Sequence, residues 1–327
     1  MILAGDVGGT KTNLALFRAE GARLSRLGLR SFPSREYGGL EEILGEFLAG
    51  GAAVERVCIG VAGPVSGGRS RVTNLPWEVD RESIRRACGA KRGFLVNDLQ
   101  ATAFSVPALP AQSLAVLQEG EGDPEGTVAV LAAGTGLGAS FLVWDGTGHL
   151  PVASEGGHAD FAPRNPREAR LHAFLAAEHG RVSVERAVSG PGLHAVYRFL
   201  RESEGMAESP GIEERMARED PSRIVSEEGL SGGSKTCREA LRIFASLYGA
   251  AAGNLALQVL ATGGVYLGGG IAPEILPALA AGEFQEAFVS KGRFRGVLSG
   301  LPVRVILDDK AALLGAARYA LAKGGRE

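Results

Sequence analysis

The residues best equipped for chemistry stand at the start of the chain. Asp6-Val7-Gly8-Gly9-Thr10-Lys11-Thr12 puts a carboxylate, two glycines, two hydroxyls and a lysine into seven consecutive positions. Apolar runs flank it, Ile2-Leu3-Ala4 before and Leu14-Ala15-Leu16-Phe17 after, which predicts a strand, a tight turn and a second strand. Glycines let a backbone fold closely around an anion and aim its N–H groups at it. A carboxylate beside such a turn can hold a metal ion through water, and Lys11 adds positive charge. The set suits the phosphates of a nucleotide, although a glycine hairpin that binds nothing accounts for the same seven residues.

Two better-known phosphate motifs do not fit. From Gly5 the chain reads G-x-x-x-x-T-K-T, with Thr10 where a P-loop requires glycine. A P-loop must also run into a helix, whereas Asn13–Phe17 reads as a strand. Gly8 and Gly9 are adjacent, which breaks the G-x-G-x-x-G dinucleotide pattern. The design then recurs. Ala133-Gly134-Thr135-Gly136-Leu137-Gly138 follows the apolar run Val128–Leu131 and leads into strand-like Ala139–Trp144. Thr10 and Thr135 lie about 125 residues apart, so the chain reads as a duplicated unit, each half presenting a phosphate turn to a shared cleft. A third cluster, Gly268-Gly269-Gly270, follows Val265-Tyr266-Leu267 and would let a flat group such as adenine approach.

Carboxylates and one imidazole supply acid–base candidates. Asp98 follows Asn97 at the end of an apolar strand, where open α/β sheets place ligands. There it can accept a proton from an attacking hydroxyl; it can also cap the helix beginning at Leu99, and the two roles are compatible. Glu155-Gly156-Gly157-His158 sets an acceptor and an imidazole on a loop with little bulk around them, as polyol recognition requires. A hydrogen-bonded loop histidine is the plainer account of His158.

These groups need elements to position them. Residues 1–17 form the hairpin and Leu24–Ser31 a third strand. Leu40–Leu48 has helical periodicity. Arg56–Ala62 is a buried strand ending at the Gly63-Pro64 turn, Ser83–Cys88 belongs to a helix, and Gly93–Val96 is another strand. Pro107 and Pro110 mark a hinge. Helices follow at about 167–179, 191–203 and 235–260. Gly211–Glu228 is dense in charge and reads as a solvated helix–loop excursion, and Lys310–Lys323 as a final Ala- and Leu-rich helix. A chain of 327 residues suits two domains. Its 45% hydrophobic and 22% charged content is that of an ordinary globular protein. A net charge of −2 argues against general attraction to nucleic acid or membrane surfaces. No apolar run approaches a membrane span, and the start lacks a signal-peptide pattern. Cys58, Cys88 and Cys237 are odd in number and far apart, which predicts reduced, mostly buried thiols and a cytoplasmic setting.

The order of the three glycine clusters resembles the sugar kinase, heat-shock ATPase and actin superfamily. More closely, the chain resembles the bacterial glucokinase family over nearly its full length, through GDVGGTKT (5–12), TNLPW (73–77), LVNDLQA (95–101), GTGLG (134–138), EGGHADFAP (155–163), RVSVERAVSGPGL (181–193), GNLAL (253–257) and LGGGIAP (267–273). The resemblance implies an α/β fold of two ribonuclease-H-like, actin-like ATPase domains with a cleft between them. The small domain would comprise 1–108 plus 310–327, because the final helix crosses back to it, and the large domain 109–309.

The implied reaction is transfer of the γ-phosphoryl group of ATP to the 6-hydroxyl of D-glucose. By that resemblance Asp98 is the base, and Asn97, Asp98, Glu155, His158 and Glu185 hold the sugar. Asn74 helps close the pocket, with Trp77 packed beneath its loop. Glu185 is carried over from the family; from the sequence alone it is equally a helix-surface carboxylate. ATP would lie on Gly8, Gly9, Thr10, Lys11 and Thr12, on Gly134, Thr135 and Gly136, and on Gly268 and Gly269, with Asp6 orienting hydrated Mg2+. A related branch joins a histidine here to downstream cysteines around zinc. No cysteine lies between Cys88 and Cys237, so no zinc site is expected. Glucose and ATP are the expected partners, in a homodimer. The rivals are a kinase for another hexose or amino sugar, such as fructose, mannose or an N-acetylated hexosamine, and a non-enzymatic actin-like or sugar-sensing protein. A sugar-responsive repressor would need a helix-turn-helix ahead of the first hairpin.

Overall fold

The computed structural model describes residues 1–323, which separate into two compact units. The first comprises Met1–Ala111, His149–Ala153 and the segment from Asp308 onward; the second comprises Gln112–Gly148 and Ser154–Leu307.

In the first unit β1 (Ile2–Val7), β2 (Lys11–Glu20), β3 (Arg23–Pro33) and β4 (Arg56–Val61) precede a small ribbon of β5 (Arg69–Arg71) and β6 (Glu78–Asp80), and β7 (Arg92–Asn97) completes the main sheet. The sheet order is β3-β2-β1-β4-β7. β1 pairs antiparallel with β2, from Ile2↔Phe17 to Val7↔Thr12, and parallel with β4, which pairs parallel with β7. Side chains alternate across the sheet. Leu3 and Val7 therefore join Leu14, Ile43, Leu44, Val57, Ile59 and Trp77 on one face. Ile2 and Ala4 join Ala15, Cys58 and Val96 on the other, against Leu313, Ala316, Ala317 and Ala320 of the helix Ala311–Lys323. That helix crosses the helix Asp98–Ser105 so closely that a Cβ on Gly315 would stand 1.7 Å from the Ala101 carbonyl oxygen.

The second unit contains β8 (Leu114–Gln118), β9 (Val128–Ala133), β10 (Leu137–Trp144), β12 (Gly264–Gly268) and β13 (Val303–Ile306); β11 (His149–Ser154) lies mostly within the first. Strand order runs β10-β9-β12-β13-β8. β9 pairs antiparallel with β10 and parallel with β12, which pairs parallel with β13. The arrangement β2-β1-β4-β7 thus recurs as β10-β9-β12-β13, each time with a glycine turn leaving the strand that has one antiparallel and one parallel neighbour. All six residues of β9 are buried. The helix Lys235–Val259 packs on this sheet, and its fully buried Tyr248 donates its hydroxyl to Leu131 O at 3.0 Å and accepts from Ala133 N at 3.3 Å. By length and apolarity alone this helix could cross a membrane, but 72% of its apolar window is buried inside the protein.

The charged stretch 211–228 differs from the sequence expectation. It forms two helices, Pro210–Met216 and Pro221–Ser231, which bury Ile212, Ile224 and Val225 in the core. Their outer faces carry the charge, with Arg215 paired to Glu219, Glu227 and Glu228. Cys58, Cys88 and Cys237 are buried and free, and burial pushes the Cys88 thiol up to about 12. Gly315→Ala should lower the unfolding free energy by about 1–3 kcal/mol through overpacking, measurable by urea titration; an unchanged midpoint would remove the close helix crossing as a constraint.

Candidate functional site

In the first unit the turn after β1 is closed by Gly8 N–H donating to Lys11 O at 3.0 Å. Thr10 and Lys11 are exposed and Gly8 and Gly9 partly so. Thr12 differs from the expectation that it faces a ligand. It is fully buried, and its hydroxyl meets Ser34 Oγ at 3.0 Å, because alternation along β2 turns Lys11 outward and Thr12 inward. The loop holding Asn74 packs on the turn: a Cβ on Gly9 would lie 3.0 Å from Thr73 O and 3.2 Å from Asn74 Cβ. Asn74 itself is exposed with φ of 63°, and Trp77 is buried in the core cluster against which Leu75 packs.

Asp6 is partly buried at the end of β1. Asn13 Nδ2 donates to Asp6 Oδ2 at 3.3 Å, and Ser31 Oγ fixes Asn13 by donating to its Oδ1 at 2.6 Å. Burial pushes the Asp6 carboxyl above its ordinary value of 3.8; the Asn13 hydrogen bond and the charge of Lys310 pull it back, and Asp309 adds repulsion. Because β1, β4 and β7 run parallel, Asn97 and Asp98 leave the sheet at the same edge as this turn. Asn97 caps the helix Asp98–Ser105. Its Oδ1 accepts from Leu99 N at 2.9 Å, its N–H donates to Gln100 Oε1 at 3.1 Å, and its Nδ2 donates to Gly63 O at 3.1 Å. This capping box is legible in Asn97-x-x-Gln100. Asp98 follows in the first helical turn, where the helix dipole favours a carboxylate. Its Oδ1 accepts from Leu99 N at 2.8 Å.

In the second unit His158 lies between two carboxylates. Its Nε2 is 4.0 Å from Glu155 Oε2 and its Nδ1 is 3.7 Å from Glu185 Oε1. The other oxygen of Glu185 accepts from Leu137 N at 2.8 Å, directly after the Gly134–Gly136 turn. A Cβ on Gly136 would come within 2.6 Å of that same oxygen. Gly157 lies against Leu137, where a Cβ would meet the Leu137 carbonyl oxygen at 1.8 Å. Glu185 sits in a single 3-10 turn, Val184–Arg186, rather than on a longer helix surface. Ser189 Oγ donates to Glu185 O at 2.8 Å and accepts from Gly192 N at 3.1 Å, joining that turn to the helix Gly190–Glu202. Gly190 N in turn donates to Gly134 O at 2.8 Å. Thr135 is exposed, and a cavity of about 270 Å³ opens beside it and Glu185, lined also by Arg186, Ser189, Pro191 and His194. The third glycine cluster abuts the second: Gly269 has φ of 79°, and a Cβ there would lie 2.3 Å from Ala133 O, while Gly268 is buried at the end of β12.

The structure therefore gathers Asp6, Gly8–Lys11 and Asn74 around one turn, and Gly134–Gly136, Glu155, His158, Glu185 and Gly268–Gly269 around another. Sequence reasoning missed the residues that brace them. Asn13 and Ser34 are ordinary polar residues until β2 and β3 pair. Arg181 is invisible until its Nη2 is seen donating to His158 O at 2.7 Å and pairing with Asp160 at 2.6 Å.

A family profile described as glucokinase matches residues 3–323. A glucokinase of Nostoc punctiforme is 39% identical, covering 97% of this chain and 98% of the relative. One of Chromobacterium violaceum is 40% identical over 97% of this chain and 88% of the relative. The crystal structure of a glucokinase from an Antarctic psychrotroph superimposes with a TM-score of 0.87 at 30% identity, covering 98% of each chain.

The Asp6 environment makes a stability prediction. A carboxyl raised by burial costs stability once it ionises in the folded chain. The cost is absent below pH 3.8, where the group is protonated folded or unfolded, and is complete above the raised folded value. Without nucleotide or metal, Asp6→Asn should therefore melt above the parent at pH 7 and level with it near pH 3. A lower melting temperature at pH 7 would show that the charge is instead stabilised where it sits.

Proposed function

The chain belongs to the glucokinase family, and we propose that it transfers the γ-phosphoryl group of ATP to the 6-hydroxyl of D-glucose, giving glucose 6-phosphate. The observation that carries the reading is the His158 ring set between Glu155 and Glu185, with Glu185 also bound to the N–H that follows the Gly134–Gly136 turn. Alternating acceptors and a donor on adjacent positions suit vicinal hydroxyls. One carboxylate thereby ties the sugar set to a phosphate turn.

In the proposed mechanism the sugar's 6-hydroxyl oxygen attacks the γ-phosphorus of ATP, its proton passes to the Asp98 carboxylate, and the bond from the γ-phosphorus to the bridging oxygen of ADP breaks. Asn97 holds the helix start that carries Asp98 and has one amide N–H left for the sugar. Glu155, His158 and Glu185 fix the ring, and Asn74 covers it. The Gly8–Thr10 and Gly134–Gly136 turns hold phosphates, Lys11 adds positive charge, and Gly268 and Gly269 leave room for adenine. Phosphoryl transfer needs little covalent help, so alignment and charge stabilisation supply most of the catalysis.

Asp6 fits a hydrated Mg2+: its carboxylate stands at the end of β1 beside the Gly8–Lys11 turn, oriented by the Asn13 side chain. Among the described residues no cluster of three or more His, Cys, Asp or Glu could hold a metal alone. Mg2+ bound through one carboxylate, waters and phosphates requires none; when present it neutralises developing charge on the phosphates. A homodimer in the cytoplasm is part of the same proposal.

A panel of hexoses and amino sugars assayed for ATP-dependent phosphorylation tests the reading, with glucose expected to give the highest kcat/KM. Failure of every sugar would overturn it. Asp98→Ala should lower kcat about 100- to 10,000-fold while glucose still binds, as read by calorimetry. Turnover near that of the parent would show that another group takes the proton.

A further inference from the structure

We infer that Ser34 is a positioning residue for the nucleotide phosphates, acting through the first glycine turn; the inference rests on the kinase reading above. Ser34 follows the end of β3 and is fully buried. It grips three alternate residues of the turn segment. Its Oγ donates to Gly8 O at 2.9 Å, its backbone N–H donates to Thr10 O at 3.0 Å, and its Oγ lies 3.0 Å from Thr12 Oγ1. A hydroxyl has one proton, and Ser34 commits its own to Gly8, so Thr12 is the donor in the pair. The two hydroxyls form a directed chain from Thr12 through Ser34 to the Gly8 carbonyl.

The consequence follows from peptide planarity. In a trans peptide the C=O of one residue and the N–H of the next point in opposite directions. With the carbonyls of Gly8 and Thr10 both drawn toward Ser34, the N–H groups of Gly9 and Lys11 are turned away from it. Gly9 N–H has no acceptor among the described residues. Carbonyl oxygens repel phosphate oxygens and N–H groups attract them, so a glycine turn holds phosphate only while its peptides face the right way. The Gly8–Gly9 peptide can flip at little cost, and the Ser34 hydroxyl on the Gly8 carbonyl opposes that flip. Thr12 thus serves the nucleotide from the inside, through Ser34, rather than by contact.

The test is nucleotide affinity set against sugar affinity. In Ser34→Ala the Gly8 carbonyl loses its donor, and ATP binding by calorimetry should weaken about tenfold, with KM for ATP rising in parallel. Affinity for glucose should stay within about twofold. Ser34→Cys, close in volume and a poorer donor, should fold as the parent does and fall between the two. A parent chain that binds no ATP would sink the kinase reading itself. A parent that binds ATP, beside Ser34 variants with ATP affinity within twofold of it, would overturn this inference alone. Equal losses for ATP and glucose would also overturn it, marking Ser34 as a general stabiliser.

Discussion

A strand with an antiparallel neighbour on one side and a parallel neighbour on the other constrains everything near its carboxyl end. The antiparallel partner forces a tight turn at once, and the parallel partner brings a second loop to the same edge. β1 stands in this position between β2 and β4, and β9 between β10 and β12. Glycine turns, the Asn97–Asp98 corner and the Gly268–Gly269 cluster all lie at such edges. In the first unit strand direction does the gathering; in the second, Glu155, His158 and Glu185 reach the turn from two separate 3-10 turns.

Within that frame close approach replaces bulk. Gly157 against Leu137, Gly269 against Ala133 and Gly136 against Glu185 are positions where a methyl group would collide with backbone or with the Glu185 carboxylate. The chemistry-bearing side chains, in contrast, are held by hydrogen bonds. Asn13 holds Asp6, Leu137 N–H holds Glu185, and the capping box around Asn97 fixes where the Asp98 helix begins. These second contacts cost little in an otherwise well-packed fold, and each removes a rotamer that would misdirect its partner.

Much of this was legible in the chain. The helix 40–48 and the strand starting at Arg56 were readable from apolar periodicity, and the two glycine turns from composition at fixed spacing. The Asn97–Gln100 capping box was visible in principle. The short strands β5, β6, β8, β11 and β13 were not, because three to six residues without strong alternation carry too little pattern. The stretch 211–228 misled because charge density hides the few apolar residues, Ile212, Ile224 and Val225, that decide burial. Thr12 misled because a hydroxyl in a phosphate-like motif looks the same whether it faces a ligand or a serine.

The sequence by itself determined which groups are present and in what order, since glycine, carboxylate and apolar runs have local backbone consequences that need no partner. It therefore settled the strand–turn–strand units, their repetition and the family. Only the tertiary structure decided which way each group faces. Thr12 turned inward to Ser34, Glu185 split between His158 and Leu137 N–H, and Asn13 joined to Asp6 all depend on residues brought together by strand pairing and loop packing. Hydrogen bonds of that kind are set by distances of a few tenths of an ångström, and no spacing along the chain encodes them.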